Sequence, residues 1–408
     1  MKSDRSYLTL LSSYMIGTLP DGRVLMANKF FEEVCKFTDL WGGQKLRLLA
    51  EVDPKKEEVL ETIAIHPKEL PFELEIVSYP NLTPAKLAEQ TAVVMTPVGH
   101  RNNHIIDLCR QGNVPCVYVT EYNLNARKQI VAMDTRNPLL RLRRNLWAEN
   151  QERKRTRSIA LSEGVQCNGT PTYDAYRAIN RNPLLYFDNH VTIDLLPTAE
   201  EMETRTRSLV QDNQPLRLLF SGRLITMKGA DHLLDVAQAI KKLGVPFHLY
   251  ICGNGDLKES MERRIQTTDL REWVTMMGML SFHTELVPFV RQNIDLFICC
   301  HRQSDPSCTY LETMSCGVPI VGYDNEAFTG VVQHSGVGWL VPMNQPEQVA
   351  QQVAALNQNR AAIREMSYQA LNFAQNYVFE RTYTSRVAHL KEVAATYLSN
   401  AGQVLQAS

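Results

Sequence analysis

Two buried strands joined through one short helix, in residues 296–323, constrain the fold of this chain more than any other feature. The apolar run 296–300 is typical of a strand that is buried on both faces. Polar residues follow it, then a helix that ends at Cys316-Gly317, and then a second apolar run at 318–323. Strands of this kind, connected through a helix, indicate a parallel sheet covered by helices.

The helix of this segment begins where an anion would be well placed. Ser307 or Thr309 can cap it, and its first amide groups and its dipole favour negative charge at the carboxyl end of the sheet. Glu312 lies about one turn into the helix and brings a carboxylate to the same crevice. A helix start for phosphate and a carboxylate for ribose hydroxyls outline a nucleotide site.

The composition is that of a globular protein. The 408 residues suggest about two or three domains, and 44% hydrophobic residues suffice for buried cores. A net charge of −1 gives no reason to expect nucleic acid, and no apolar run is long enough to span a membrane. The N-terminal segment is interpreted as a first strand rather than a signal peptide. The nine cysteines are interpreted as buried free thiols in a reducing cytoplasm rather than metal ligands or disulfides.

Strand-like and helical segments alternate through the first half, which predicts a parallel sheet with helices on both faces. Helices are predicted at 28–40 and 104–111. The predicted strands are 7–12, 45–51, 72–77, 92–96, 114–120, 158–162 and 165–168.

Three loops after predicted strands carry candidate functional residues, because sites in such sheets lie at the carboxyl ends of the strands. Asp21-Gly22-Arg23 fits a simple turn and a flexible substrate loop equally well. His100, beside Arg101 in the loop after the fourth predicted strand, favours a functional role over a structural one. Glu121, after the fifth, could act as a base, hold a sugar hydroxyl or cap the next helix.

Residues 136–157 are locally basic in a nearly neutral protein. The simplest interpretation is the solvated face of a helix. The alternative is a surface for an anionic lipid or an anionic acceptor, into which Leu139, Leu140, Leu142 and Trp147 would dip. Salt-sensitive binding to liposomes would separate the two.

A polar stretch at 189–215 separates the halves, and a second alternation begins after it. Strands are predicted at 216–220, 247–252 and 274–277, and a helix near 285–292. Gly253-Asn254-Gly255 follows the second of these strands and fits either a tight turn or a backbone that approaches a ligand.

Arg223 and Lys228 bracket the first strand-to-helix turn of the second half, which begins at Ser221-Gly222. Cations are disfavoured near the start of a helix. A nearby anion would therefore explain the presence of Arg223 and Lys228 better than the interpretation that they are two unpartnered surface cations. Two fixed cations offset the charge of a nucleoside diphosphate through charge-assisted hydrogen bonds of about 1.5–3 kcal/mol each.

Four segments of the second half together resemble the donor domain of the GT-B glycosyltransferases, specifically the retaining glycosyltransferase family 4. They cover most of 216–342 and read FSGRLITMKGADHLL, FHLYICGNGD, VTMMGML and CGVPIVGYDNEAFTGVVQHSGVGWLVP. The resemblance implies an α/β fold of two Rossmann-like, parallel-sheet domains that face each other across a cleft. It divides the chain into an acceptor-binding domain at 1–195, a linker at 196–214, a nucleotide-sugar donor domain at 215–378 and a C-terminal helix at 379–408 that returns to the first domain.

The resemblance also implies roles for individual residues. Arg223 and Lys228 would hold the donor diphosphate and stabilise the leaving group, and Glu312 would bind the ribose. The co-substrate would be a UDP- or GDP-sugar, with no metal required. The other donor contacts would be made at Gly222, Gly253, Asn254, Met277, Ser307, Cys308 and Thr309.

The chain departs from the family pattern at two places. The first Glu of the Glu-seven residues-Glu motif falls on Ser304, so either Asp305 reaches the sugar one residue late or the loop binds a different sugar. The family often has a His after the fifth strand, where this chain has Glu121, and His100 or His104 is the expected substitute.

The sequence therefore predicts a retaining hexosyltransferase that acts on a hydroxyl of a glycan, lipid-linked or small-molecule acceptor. It is expected in the cytoplasm, with residues 136–157 as the candidate for peripheral membrane contact, and without a nucleic-acid partner. The alternatives are a catalytically silent subunit that binds nucleotide or glycan, which the two departures favour, and a nucleotide-sugar epimerase of the same fold.

Overall fold

The structure, a computed structural model, describes residues 5–43, 45–56, 62–135, 137–211 and 214–407, with side chains up to residue 400. The strands of the first half are β1 (Tyr7–Leu11), β2 (Gly17–Thr18), β3 (Val24–Ala27), β4 (Leu46–Ala50), β5 (Thr62–Ile65), β6 (Glu73–Ile76), β7 (Thr91–Pro97), β8 (Cys116–Thr120), β9 (Gly164–Asn168) and β10 (Pro183–Tyr186). The helices are α1 (Asn28–Trp41), α2 (Pro84–Ala88), α3 (Ile105–Gln111), α4 (Leu124–Asp134), α5 (Pro138–Leu161), α6 (Gly169–Tyr176) and α7 (Ala199–Gln211).

In the second half the strands are β11 (Leu216–Ser221), β12 (Phe247–Cys252), β13 (Val274–Gly278), β14 (Leu296–Cys299), β15 (Ile320–Tyr323) and β16 (Trp339–Val341). The helices are α8 (Ala230–Lys242), α9 (Lys258–Thr267), α10 (Val287–Asn293), α11 (Cys308–Ser315), α12 (Glu326–Ser335), α13 (Pro346–Gln358), α14 (Arg360–Ala374) and α15 (Phe379–Ala407). A π-helical turn at Phe282–Leu286 leads into α10.

A parallel seven-stranded sheet, in the order β10-β9-β8-β7-β1-β4-β6, forms the centre of the N-terminal domain. Its central strands are apolar; Leu10, for example, pairs with Leu48 and with Met95, and all three are buried. The order of the strands reverses between β1 and β7, so a crevice opens at the carboxyl ends of these two strands. The parallel α/β sheet predicted for the first half is confirmed.

Two parts of the N-terminal half differ from the prediction. Residues 158–162 do not form a strand, because all but the last belong to helix α5, inside which Ile159 is buried. A short apolar run cannot be distinguished from a buried helical turn by its pattern alone, which explains the error. An unpredicted antiparallel sheet has the order β2-β3-β5. Asp21-Gly22-Arg23 is the turn between β2 and β3, closed by an ion pair of 2.7 Å between its two charged side chains.

A parallel six-stranded sheet, in the order β13-β12-β11-β14-β15-β16, forms the centre of the C-terminal domain. Leu218 of β11 pairs with Leu249 on one side and Leu296 on the other, and all three are buried. The strand order reverses between β11 and β14. The loops that contain Lys228 and Ser307 therefore start from the two strands that flank the crevice of this sheet.

Helix α15 follows the second sheet in the chain but packs on the N-terminal domain, against α1, β7 and β10. The guanidinium of Arg386 lies over the rings of Phe37, Tyr186 and Tyr383 at 4.9, 4.2 and 5.1 Å, and its Nε donates to Gln166 at 2.9 Å. The expected return of the C-terminal helix is confirmed, whereas the boundaries at 195, 214 and 378 stay predictions. Within the described ranges, every helix is too short or too polar to cross a bilayer.

Gly229, between Lys228 and helix α8, has a backbone that requires glycine. Its φ is +65°, and a Cβ there would stand 1.9 Å from the carbonyl oxygen of Cys300. We expect Gly229→Ala to lower the free energy of unfolding by about 3–4 kcal/mol, because the loop after β14 must move. Gly244→Ala is the control, since φ there is +70° but no atom lies within 4 Å. It should cost only about 1 kcal/mol in urea unfolding, and equal losses would contradict the role of the Cys300 contact.

Candidate functional site

The candidate site lies in the cleft between the two domains, where loops from the carboxyl ends of both sheets face each other. Hydrogen bonds connect the two sides directly. Glu326, at the start of α12, accepts from Asn123 Nδ2 at 2.6 Å and from Asn125 Nδ2 at 2.7 Å. Helix α6 of the N-terminal domain also packs on α12. The structure therefore shows a cleft whose two domains are in contact.

Lys228 is buried and points toward the start of α11. Its Nζ donates to the two carboxylate oxygens of Asp305 at 2.9 and 3.2 Å and to Ser307 Oγ at 3.4 Å. The side chains of Lys228 and Asp305 are 9% and 13% exposed, so the ion pair is largely removed from water. A fixed positive charge thus stands beside the first turn of a helix, where the helix dipole also favours an anion.

The loops after β11, β12 and β13 lie edge to edge at the crevice. The N–H of Leu224 donates to the carbonyl of Asn254 at 2.8 Å, and the N–H of Gly253 donates to that of Gly278 at 2.7 Å. A Cβ at Gly253 would stand 1.9 Å from the carbonyl oxygen of Gly222, so glycine is what allows this approach. Gly222, Gly253 and Asn254 therefore form one continuous backbone surface.

The side chain of Arg223, in the loop after β11, is exposed. Met277, in strand β13, is half-buried. Burial raises the pKa of Tyr122 to about 12, and the charges of Asp305 and Arg223 act on it in opposite directions. Tyr122 belongs to the N-terminal domain, which the loop before α11 contacts through the hydrogen bonds between Ser304 and Gln129.

Helix α11 begins with Ser307 as its N-cap residue, as expected from its position. The side chain forms no capping hydrogen bond, because its Oγ is directed at Lys228 instead. The next residue, Cys308, has its Sγ 3.2 Å from Asp188 Oδ2. Thr309 and Glu312 line a narrow cavity of ≈ 20 Å³ at the same end of the sheet.

A cluster of charged side chains lies beside α11. Lys29 Nζ donates to Asp188 Oδ2 at 2.8 Å and lies 3.4 Å from Cys308 Sγ. His190 Nε2 is 3.4 Å from Asp188 Oδ1 and 3.9 Å from Glu33 Oε1. Burial alone would raise the pKa of Asp188, but His190 and Lys29 outweigh it and hold that pKa below its usual range. Asp188 therefore stays ionised between the ammonium of Lys29 and the imidazole of His190.

Three carboxyl groups around this cluster have raised pKa values. Burial raises the pKa of Glu33 to about 7, and the charge of Asp188 acts in the same direction. Burial also raises the pKa of Glu312 and of Glu121, again with a contribution from Asp188. Their protonated forms can donate hydrogen bonds as well as accept them.

A cavity of ≈ 170 Å³ opens in the N-terminal domain next to the cluster. Its charged lining is suited to a polar ligand with several hydroxyl groups. The charged residues that line it are Lys29, Glu33, Glu121, Arg155, Asp188 and Arg386. The aromatic residues that line it are Tyr14, Phe30, Phe37, Tyr122, Tyr186 and Tyr383.

His100 lies outside this cavity. It lines a neighbouring depression of ≈ 190 Å³ and packs edge-on against Trp147, with 5.5 Å between the ring centroids. His104 Nε2 lies 3.3 Å from the carbonyl oxygen of Tyr79. The structure thus brings Glu121, but neither His100 nor His104, to the charged cavity. The depression and the cavity share the residues Ser13, Tyr14, Pro97 and Val98.

Ser304, at the position of the first Glu of the motif, is buried and bonded across the cleft. Its N–H donates to Gln129 Oε1 at 2.9 Å, and Gln129 Nε2 donates to Ser304 Oγ at 3.1 Å. Gln129 belongs to helix α4 of the N-terminal domain. A reciprocal interdomain hydrogen-bond pair thus stands where a carboxylate was expected, and the carboxylate of the next residue, Asp305, faces Lys228.

Sequence reasoning missed Lys29, Asp188, His190 and Gln129. Lys29 lies in the first turn of α1, where no sequence pattern distinguishes it. Most of the segment after β10 was interpreted as part of the polar stretch that separates the two halves. The available signal was the Asp-x-His pattern at Asp188 and His190, which begins two residues after the end of β10. Gln129 carries no motif at all, because its role depends on a loop 175 residues away.

Three residues of the cluster also have the spacing of metal ligands. Ligand atoms of Asp188, His190 and Cys308 lie within 4.8 Å of one another, the one such group among the described residues. The ammonium of Lys29 already supplies positive charge to two of them, so we assign no metal there. All nine cysteines, each within the described ranges, are free thiols.

Comparison with known proteins connects the C-terminal half to sugar transfer. Residues 201–373 match the family of glycosyl transferases group 1. The amylovoran biosynthesis glycosyltransferase AmsK of Erwinia amylovora is 26% identical over 163 residues, which is 37% of this chain and 38% of AmsK. The alpha-D-kanosaminyltransferase of Streptomyces kanamyceticus is 25% identical over 145 residues, 36% of this chain and 37% of the relative. The chain thus spans less than two fifths of the length of these relatives.

Solved structures match nearly the whole chain. Anabaena HepE, in a complex with UDP, superposes with a TM-score of 0.62 at 14% identity and covers 95% of this chain and 99% of its own. The sucrose-phosphate synthase of Thermosynechococcus elongatus gives a TM-score of 0.59 at 15% identity, with 99% and 100% covered. These likenesses confirm the two-domain GT-B fold that the sequence predicted.

The raised pKa of Glu33 predicts a pH dependence of stability. Its pKa is 4.5 ordinarily and about 7 in the folded chain, so the folded state binds the proton more tightly. The resulting stabilisation is complete below about pH 4.5 and is lost as the pH rises through about 7. In Glu33→Gln, which cannot ionise, melting temperatures should fall less between pH 5 and pH 8 than in the unmodified chain.

The matched control for this experiment is Glu32→Gln, whose exposed side chain is on the outer side of the same helix. It should keep the slope of the unmodified chain. The interpretation is wrong if Glu33→Gln and Glu32→Gln give the same change of melting temperature with pH.

Proposed function

We propose that this chain is a retaining glycosyltransferase of family 4 that transfers a hexose from a nucleoside-diphosphate donor to a hydroxyl acceptor. The observation that carries the proposal is the buried ammonium of Lys228 at the start of α11. The first residue of that helix, Cys308, contacts Lys29 and Asp188, which line the charged cavity of the N-terminal domain. The match of residues 201–373 to glycosyl transferases group 1 supports it. UDP and UDP-glucose are present in solved structures of HepE, which supports a UDP-sugar as donor, with a GDP-sugar as the second candidate.

In the proposed site the diphosphate lies between Lys228, Arg223 and the first turn of α11. The phosphate oxygens would accept the hydrogen bonds that Lys228 Nζ donates to Asp305 in the structure. Asp305 would then turn to the sugar hydroxyls, one residue later than the usual carboxylate. Backbone groups at Cys308 and Thr309 would face the phosphate and the sugar, and Glu312 would hold the ribose.

The reaction breaks the bond between the anomeric carbon and the diphosphate oxygen and forms a bond from that carbon to the acceptor oxygen. The acceptor attacks from the face of the leaving group, and its hydroxyl proton passes to a diphosphate oxygen. Negative charge builds up on the diphosphate as the bond breaks. Lys228 and Arg223 stabilise that charge, which lowers the barrier.

The acceptor would occupy the charged cavity of the N-terminal domain. Glu121 and Glu33 could each accept a hydrogen bond from an acceptor hydroxyl when ionised and donate one when protonated. The pair Lys29–Asp188 borders both this cavity and α11, so it would contact acceptor and donor at once. A glycan, a lipid-linked sugar and a small molecule all offer the hydroxyl groups that this lining requires.

A catalytically silent nucleotide-binding subunit is the second candidate, and Ser304 favours it. Because Ser304 bonds to Gln129, the motif carboxylate that normally faces the sugar is replaced by an interdomain contact. Such a protein would bind the nucleotide without turnover. Melting-temperature shifts with UDP, GDP and ADP would identify the base in either case, and a panel of sugar nucleotides and acceptors would show turnover only for the enzyme.

Removal of the buried ammonium should abolish most of the transfer. We expect Lys228→Ala to lower kcat by about 10²–10³-fold, the usual effect of removing one group that stabilises charge in the transition state. Arg223→Ala, at an exposed position, should also lower kcat and controls for misfolding of the buried variant. Lys242→Ala, at an exposed position in α8, should change nothing. Full turnover in Lys228→Ala would refute the proposed site.

The role of Glu312 can be separated from that of the phosphate-binding residues. Calorimetry should show that Glu312→Ala binds UDP about 10–100-fold more weakly, because hydrogen bonds from two ribose hydroxyls to a carboxylate are lost. Binding of 2′,3′-dideoxy-UDP, which lacks these hydroxyls, should be the same in both proteins. Glu347→Ala, at an exposed position of α13, is the control for lost charge. An equal loss for UDP and its dideoxy analogue would place Glu312 away from the ribose.

A further inference from the structure

The first half of helix α5 exposes an unusual amount of apolar surface. Leu139 is 78% exposed, Leu142 and Leu146 are each 58% exposed, and Trp147 and Leu140 are 52% and 41% exposed. At 100° per residue these five side chains fall within an arc of about 160° on the helix. The exposed apolar side chains of a soluble protein are normally scattered singly, so a cluster of this size marks a contact surface.

The anchoring of α5 explains why this surface faces outward. The buried residues of the helix are Ala148, Gln151, Arg155, Ser158 and Ile159, and none of them precedes position 148. The first residue of this set lies roughly opposite the centre of the apolar arc. Helix α4 packs beside α5, and Arg144 Nη1 donates to Thr135 Oγ1 at 2.6 Å. The apolar arc of the first half therefore faces away from the buried side of α5, and this exposed face is called the ridge.

The charges on this ridge are all of one sign. Arg143 and Arg144 are exposed within or beside the apolar arc, Arg141 is exposed on the opposite side of the helix, and the sequence has no acidic residue between 138 and 148. In the part of the chain that the structure describes, none of the three forms an ion pair. Arg143 lies within the apolar arc, where its long stem can rest on apolar surface while the guanidinium reaches a polar layer. Arg136, where the predicted basic segment begins, lies outside the described residues.

The ridge adjoins the proposed acceptor side of the cleft. The ring of Trp147 packs against His100, which lines the depression that continues into the charged cavity. Whatever binds the ridge is therefore held next to the mouth of that cavity.

We propose that this ridge docks the protein on a bilayer that contains anionic lipids. A bilayer surface accepts a convex helix whose leucines and tryptophan enter the acyl region, while arginines contact phosphate groups at the boundary. A purely apolar protein partner would leave the arginines without anions, whereas anionic lipids supply them. Docking of this kind goes beyond sugar transfer and requires neither donor nor acceptor. It orients the depression around His100 toward the lipid surface.

The test uses the full chain and vesicles of phosphatidylcholine with or without about 30% phosphatidylglycerol, at low salt and at about 0.5 M NaCl. The chain should sediment with the anionic vesicles at low salt and much less with the neutral ones or at high salt. The double change Arg143→Gln with Arg144→Gln should weaken binding about 25-fold, at about a factor of five per arginine. The change Leu142→Ser with Leu146→Ser should weaken it at least tenfold at every salt concentration.

Matched controls are available on the C-terminal domain. Arg263→Gln with Arg271→Gln removes two exposed cations there, and Leu243→Ser with Met279→Ser removes two exposed apolar side chains. Neither set should change vesicle binding by more than about twofold, since both leave the ridge intact. Melting temperatures of all variants establish that the fold is unchanged.

Brominated lipids provide a second readout, because they quench only tryptophan that enters the acyl region. Quenching should be strong in the unmodified chain and should disappear in Trp147→Phe, which keeps the aromatic ring. Equal vesicle binding by the ridge variants and the controls would overturn the proposal. So would a dimer in solution that the leucine changes dissociate, because the ridge would then be an interface between two copies of this chain.

Discussion

The burial of a single ammonium group, that of Lys228, governs the arrangement of the site. A cation that is 9% exposed needs a compensating anion, and Asp305 provides it from the loop after the neighbouring strand. Gly229 makes this geometry feasible, because only a residue without a Cβ fits against the carbonyl of Cys300. The ion pair thus fixes two loops of the C-terminal domain at the start of α11. A diphosphate in the cleft would compete with the Asp305 carboxylate for the ammonium of Lys228, whose position is already fixed.

The N-terminal domain contains a second buried set of charges. Asp188 stands between Lys29 and His190, and Cys308 of α11 lies within 3.2 Å of the same carboxylate. Because Cys308 belongs to the C-terminal domain, any movement that opens the cleft separates its thiol from the charged groups of the N-terminal domain. The raised pKa of Glu33 belongs to this balance, because its ionisation would place a second negative charge near Asp188 at a largely buried position.

The sequence predicted the parts of this molecule that are local in the chain. Alternating apolar and polar segments predicted both parallel sheets, and Lys228 was identified because two cations near a helix start require an explanation. Residues 158–162 were wrongly predicted as a strand because a short apolar run has no period of its own. The charged cluster was not predictable in this way, since Lys29, Asp188 and Cys308 are distant in sequence and meet only after both domains fold.

Ser304 shows why a departure from a family motif must be interpreted in three dimensions. In sequence it is a lost carboxylate, which suggests lost catalysis. In the structure its backbone N–H and hydroxyl both bond to Gln129 of the other domain, and the adjacent Asp305 keeps a carboxylate within the cleft. A Glu at position 304 would have to break both bonds or bury a second negative charge near Asp305, and two close carboxylates raise each other's pKa. Ser304 therefore couples the loop before α11 to the N-terminal domain, while Asp305 keeps a carboxylate beside Lys228.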